Sequence, residues 1–195
     1  MPYRLLRQDF REENWSALYV EGIDLDALRL GRPMADLTAP VNVMLSAAGE
    51  EPSDFLEVPC IVVSNAMRGA LERAGVDNIQ YFAAELRVDW SSRVLHGFWV
   101  GNVIGIVSCV DRRVSSFESR GEGELGDLLN FTIDPALTYG LSLFRLAEDR
   151  QLVVVSPRVQ AALRAAKLRG LILQDSETYD GNLARTIEST EPTLR

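Results

Sequence analysis

Histidine and cysteine are scarce in this chain: its 195 residues hold one histidine, His96, and two cysteines, Cys60 and Cys109. One histidine excludes multi-histidine metal centres and H-E-x-x-H hydrolases. Neither cysteine belongs to a C-x-x-C pair, and each sits in an apolar stretch, Val58-Pro59-Cys60-Ile61-Val62 and Ile106-Val107-Ser108-Cys109-Val110. Both read as buried free thiols, which suits a reducing compartment; a Cys60–Cys109 disulfide is the alternative. No apolar run approaches the ~20 residues of a membrane helix. The start, Met1-Pro2-Tyr3-Arg4-Leu5-Leu6-Arg7-Gln8-Asp9, meets charge too early for a signal peptide. A cytoplasmic protein is the expectation. Walker-type loops, EF-hand loops and the G-x-S-x-G nucleophile elbow are missing as well.

Basic residues are outnumbered, 20 Lys and Arg against 28 Asp and Glu, for a net charge of −8. Such a surface repels phosphates and anionic head groups, which argues against nucleic-acid and membrane partners. It attracts a basic protein and speeds its association; the plainer reading is that the charge aids solubility. With 47% hydrophobic and 25% charged residues the composition is globular. A chain of this length buries about 70% of its unfolded surface, so neither disulfide nor metal is needed to fold it.

What the sequence does have is an internal repeat. Ile61-Val62-Val63-Ser64, the stretch Asn65 to Ala74 and then Gly75 to Ile79 return 92 residues later as Val153-Val154-Val155-Ser156, Pro157 to Ala166 and Lys167 to Leu171. Each copy opens on a buried strand. A serine follows, expected to cap a helix with its side chain, and Pro157 suits the first helical position of the second copy. Met67, Ala70, Leu71 and Ala74, like Val159, Ala162, Leu163 and Ala166, form one apolar stripe per helix. Gly75 is a left-handed terminator for the first helix; with Lys167 in its place, the second is expected to end later.

Further strands are expected at Tyr3–Arg7, Ala17–Val20, Val41–Leu45, Ile79–Leu86, Trp99–Val110 (broken at Gly101 or Gly105), Leu129–Ile133, Leu143–Leu146 and Leu171–Leu173. A short helix is expected at Asp24–Leu30, and loops at Ser46–Asp54 and Arg120–Gly126. The reading is an α+β fold with a mixed, mostly antiparallel sheet and two similar strand–helix–strand units, 61–86 and 152–173. Residues 1–173 are expected to form one domain, and the polar, acidic residues 174–195 an extended or partly mobile tail.

Few residues suggest chemistry. Gly121-Glu122-Gly123-Glu124-Leu125-Gly126 matches G-x-G-x-x-G, but no buried strand precedes it and its two glutamates repel phosphate, so it reads as an acidic loop. No cofactor is expected. His96, alone before Gly97, reads as a loop or strand-edge residue. Asp111, followed by Arg112-Arg113, is expected to accept backbone or arginine hydrogen bonds where a strand exits. Two regions are candidates for partner contact: the acidic stretch Glu118, Glu122, Glu124 and Asp127, and the aromatic stretch from Trp90 to Trp99, with Asp111 and Arg112 as further candidates; aromatics are equally good core material, and core is the first reading for Trp99, with Trp90 open.

Several of these segments, in order, carry a resemblance. They are Asp54-Phe55-Leu56, Ile61-Val62-Val63-Ser64 with its helix, Gly75-Val76-Asp77-Asn78-Ile79-Gln80-Tyr81-Phe82, Trp99 to Asp111 with Asn102-Val103-Ile104-Gly105, Ser115 or Ser116, Leu143-Phe144-Arg145-Leu146, and the second repeat through Leu168-Arg169-Gly170-Leu171. Over residues 54–173 the chain resembles the immunity-protein family of bacterial polymorphic toxin systems that is common in myxobacteria. The resemblance implies a protein that binds a cognate toxin in the cytoplasm and blocks it without catalysis, and it brings no catalytic residues. The alternatives are a module that self-associates through a sheet edge or the apolar face of a repeat, and an enzyme built on Asp111, Arg112, His96 or a serine.

Overall fold

In the computed structural model, residues 2–10, 15–47, 52–88, 91–119 and 125–181 are described. In chain order they form β1 (Arg4–Gln8), β2 (Ser16–Glu21), α1 (Leu25–Arg29), β3 (Val41–Ala47), β4 (Phe55–Leu56), β5 (Val62–Ser64), α2 (Asn65–Arg73), β6 (Ile79–Val88), β7 (Val94–Val103), β8 (Ile106–Val107), β9 (Phe117–Ser119), β10 (Leu125–Leu128), β11 (Leu143–Leu146), β12 (Val153–Val155), α3 (Pro157–Ala165) and β13 (Leu171–Gln174). Six strands pair in the order β2-β3-β6-β7-β5-β4 and five in the order β13-β1-β12-β11-β8, while β9 and β10 form a separate ribbon. Among these pairs β3–β6 and β8–β11 are parallel and the others antiparallel. The fold is α+β.

The sequence repeat is a structural repeat, one copy per sheet. In the six-stranded sheet β5 and β6 flank β7, so that Val62 and Phe82 both pair with Val100. In the five-stranded sheet β12 and β13 flank β1, so that Val154 and Gln174 both pair with Leu5. The offset of 92 residues therefore holds on both outer strands. The central strand differs in origin: it follows the unit in the first copy and opens the chain in the second. The stripes on the two helices meet, and Met67, Leu71, Val159 and Leu163 share one apolar interior with Leu6 and Val153 of one sheet and Val63 and Val103 of the other.

Each sheet has a second apolar face. Val41, Val43, Phe82, Leu86 and Val100 pack with Trp15 and with Leu28 of α1. Leu5, Phe144, Leu146 and Val154 pack with Cys109, Phe131 and Tyr179. Cys60 and Cys109 are buried free thiols, and burial pushes each pKa up to about 12.

Several expectations need correction. Ser64 caps α2, its hydroxyl accepting from Met67 N at 3.2 Å, but Ser156 makes no such bond and its buried Oγ has no partner. Pro157 sets the first helical φ of α3 in its stead. Nor does α3 end later than α2. Their caps are the equivalent Ala74 and Ala166, and Lys167 takes the left-handed conformation (φ 50°) that Gly75 takes (φ 77°). A Cβ makes that conformation costly by roughly 1 kcal/mol. Lys167→Gly is therefore expected to raise unfolding stability by about 0.5–1 kcal/mol in a urea titration.

The expected strand Trp99–Val110 starts earlier, at Val94, and breaks at Gly105, whose φ of 111° lets the chain leave the six-stranded sheet and enter the other as β8. Residues Leu129–Ile133 form no strand. Their backbone bonds go to separate segments: Leu129 N donates to Ser116 O, Phe131 N to Ser176 O, and Thr132 O accepts from Asp111 N. Only Ile133 forms a bridge, with Val110. Leu125 and Gly126, expected in a loop, belong to β10, and Ser46 and Ala47, likewise, to β3. Beyond β13, Ser176–Thr178 form a 3-10 turn, and Tyr179, 3% exposed, meets Phe131 edge-on at 5.8 Å. Residues 182–195 lie outside the described residues.

Candidate functional site

Alternation along β6 builds a surface. Phe82, Ala84, Leu86 and Val88 are buried, which turns Tyr81, Ala83, Glu85 and Arg87 to the opposite side. Register extends that side across the neighbouring strands. Trp99 of β7 lies opposite Ala83, and Asn42 and Met44 of β3 lie opposite Glu85 and Arg87. Tyr19 of β2 in turn lies opposite Met44, and Glu21 opposite Asn42. Tyr19 is 46% exposed. Together with Glu21, Asn42, Met44 and Arg87 it lines a shallow depression of about 280 Å3. Helix α2 packs on this face beside β5 and β7.

At the margin of α2 the face becomes aromatic and cationic. The Arg68 guanidinium lies 4.3 Å from the centre of the Trp99 ring and 4.8 Å from that of Tyr81. Its Nε donates to Glu72 Oε1 at 2.8 Å, and Trp99 Nε1 donates to Asn65 Oδ1 at 2.7 Å. These bonds fix the rotamers of Trp99 and Arg68 before any partner arrives. The ion pair is half exposed and adds little stability, whereas a cation stacked between two rings is worth about 0.5–2 kcal/mol. Burial, with the Glu72 charge behind it, pushes the Tyr81 pKa up to about 12, so its hydroxyl stays neutral. Trp, Tyr, Arg and Met are the residues that concentrate binding energy at protein interfaces. Here a largely rigid β-sheet presents all four, as an efficient binding face needs.

The residues singled out in the sequence do not converge. Trp99 stands on this face. Asp111 closes an exposed turn: its Oδ1 accepts from Arg113 N and Nε at 3.1 and 2.9 Å, and its Oδ2 from Arg113 Nη2 at 2.8 Å. Those bonds hold its carboxyl down at about 2. This is the arginine and backbone pairing expected of it. Arg112 beside it is exposed. Glu118 and Asp127 are placed by backbone only, in β9 and β10, and Trp90, Glu122 and Glu124 lie outside the described residues. His96 is exposed, 3.9 Å from Glu85 at the edge of the sheet face. Among the described residues no contact joins it to Asp111 or Arg112, and no group of three His, Cys, Asp or Glu side chains could hold a metal. Neither does any described helix have the length and apolarity to cross a membrane.

Sequence reasoning missed Tyr19, Met44, Arg68, Tyr81 and Arg87. The signal was in the period-two pattern of Tyr81 to Val88, whose outward set carries an aromatic and two charges.

Comparison with curated proteins gives no match. Comparison with protein families matches residues 10–178 to the immunity protein family Imm11, a span that takes in both repeats, the sheet face around Trp99 and the N-terminal strands β2 and β3 that the resemblance over 54–173 had not reached. By this match across most of its length, the chain belongs to the Imm11 immunity protein family.

Proposed function

We propose that this protein binds a cognate bacterial toxin in the cytoplasm and neutralises it by occlusion, without catalysis, and that the open face of the six-stranded sheet makes the contact. The observation that carries the reading is the Arg68 guanidinium of α2 held over Trp99 and Tyr81 at the margin of an exposed sheet face, in a chain of the immunity family. Buried on a partner, that cluster loses water from two rings and a weakly hydrated cation whose geometry is already set. The net charge of −8 adds long-range attraction to a basic toxin and raises its association rate.

Occlusion asks nothing of a reactive group, which agrees with two buried thiols and an exposed, solitary histidine. Co-expression tests it. The toxin domain encoded beside this gene is expected to kill the host alone and to be tolerated with the immunity chain, and the two are expected to co-purify. Killing undiminished by co-expression, with no complex, would contradict the proposal.

A further inference from the structure

Arg145 of β11 is buried, 5% exposed, and has no counter-ion among the described residues. Its Nη1 donates to the Arg150 carbonyl at 2.9 Å, its Nε is buried without a partner, and no carboxylate among the described residues pairs with it. A guanidinium taken out of water is normally paired, because an isolated buried charge costs several kcal/mol. A second buried arginine among the described residues obeys this: Arg7 is paired with Glu57 at 2.8 Å.

Arg145 borders a cleft of about 50 Å3 between α1 and the loop 57–61, lined also by Leu25, Leu28, Arg29, Val58 and Pro59. Arg29, with a side chain 47% exposed and its Nη1 donating to Asp26 Oδ1 at 3.4 Å, also lines it. The two cations are close enough to interact, and burial together with the Arg29 charge holds the Arg145 pKa below its ordinary value. Glu57 also lines the cleft, but its oxygens are taken by Arg7 Nε and Gln8 N. The space admits a few water-sized groups. Two arginines lining a space this small, walled by leucine, valine and proline, suit one planar monoanion on a short apolar stem.

We propose that this cleft is a carboxylate-binding site, in which the buried Arg145 and the half-exposed Arg29 hold one carboxylate group. The leucine, valine and proline walls take the first carbons of its stem. The site is separate from the proposed toxin-binding face, since Leu28 packs on the side of the six-stranded sheet away from Trp99.

Sodium propionate titrated into the full-length protein, followed by nuclear magnetic resonance at ionic strength held constant with sodium chloride, tests this. The Arg145 Nε–H and the amides of Leu28, Cys60 and Ile61 are expected to shift and saturate. Arg29→Gln, at a half-exposed position, is expected to weaken propionate about tenfold, the loss of one charge-assisted hydrogen bond, while Trp99→Ala leaves it unchanged. Shifts that never saturate, the same shifts with chloride alone, an Arg29→Gln affinity equal to wild type, or inorganic phosphate binding more tightly than propionate would each overturn the site. A blocked tripeptide with one central glutamate separates the sources of the group. Affinity at or above that of propionate assigns the carboxylate to an acidic side chain of a protein, and lower affinity to a small organic acid; saturation by either supports the site.

Discussion

Trp99→Ala is expected to weaken toxin binding by at least about 2 kcal/mol, roughly thirtyfold in Kd, while leaving the fold intact. The ring lies at the α2 margin of the sheet face, fixed by Asn65 and covered on one side by Arg68. Truncation removes its own contact area and also the surface on which the guanidinium rests, so Arg68 loses half of its aromatic clamp. Arg68→Ala is expected to show a smaller loss, and the two effects are expected to add to less than their sum because they share one contact. Titration calorimetry with the purified toxin domain reads both. The fold survives because Trp99 is only partly buried at the edge of the central core, where Val63, Met67 and Leu71 remain in place. Equal affinities for wild type and Trp99→Ala would remove this face from the interface.

Glu57→Ala is expected to destabilise the protein by about 3–5 kcal/mol, measured by urea unfolding. Glu57 follows β4 of the six-stranded sheet, and its partners stand on β1 of the other. Oε1 and Oε2 accept from Arg7 Nε at 2.8 and 3.1 Å, Oε2 also accepts from Gln8 N at 3.0 Å, and Glu57 N donates to Gln8 Oε1 at 2.9 Å. Gln8 Nε2 goes on to the Trp15 carbonyl, and Arg7 Nη1 to Gln174 Oε1 of β13. The carboxylate is thus a clamp between the sheets. Burial raises its pKa above the ordinary carboxylate value against the lowering pull of Arg7. The sign follows: with the folded pKa above the unfolded one, the folded state binds more protons between the two values, and this group's contribution to stability falls as pH rises through that window. The pair therefore fixes the geometry of two sheets rather than maximising stability. In line with this, joint replacement of Arg7 and Glu57 by Met and Leu is expected to cost much less than Glu57→Ala, which takes a carboxylate from beside a buried cation.

The units that the sequence made legible are those with a local cause. Branched runs, a serine and a stripe at helical spacing marked both repeats, and a short helix was expected at Asp24–Leu30, where the Asp24 carboxylate accepts from Asp26 N and Ala27 N. Where partners come from afar, the reading failed. Lys167 follows Gly75 into a left-handed turn because the packing of α3 on α2 sets where the helix ends, and local preference yields to it. Leu129–Ile133 has the alternation of a strand, but its hydrogen bonds are claimed by segments as distant as Ser176. Arg7 and Arg145 look like ordinary surface arginines in a charged chain, and only the fold buries them. The proposed binding face was half legible for the same reason. Trp99 stood out as a rare residue, whereas Tyr19, Met44 and Arg68 join it only through strand register and helix placement.

The most direct test is amide hydrogen exchange of the immunity chain with and without its cognate toxin domain. The account predicts new protection at Asn42–Met44, Tyr81–Arg87, His96–Trp99 and the first turn of α2, with exchange at the Asp111–Val114 turn unchanged. Protection confined to that turn and the β9–β10 ribbon, with the Trp99 face exchanging as in the free protein, would contradict it.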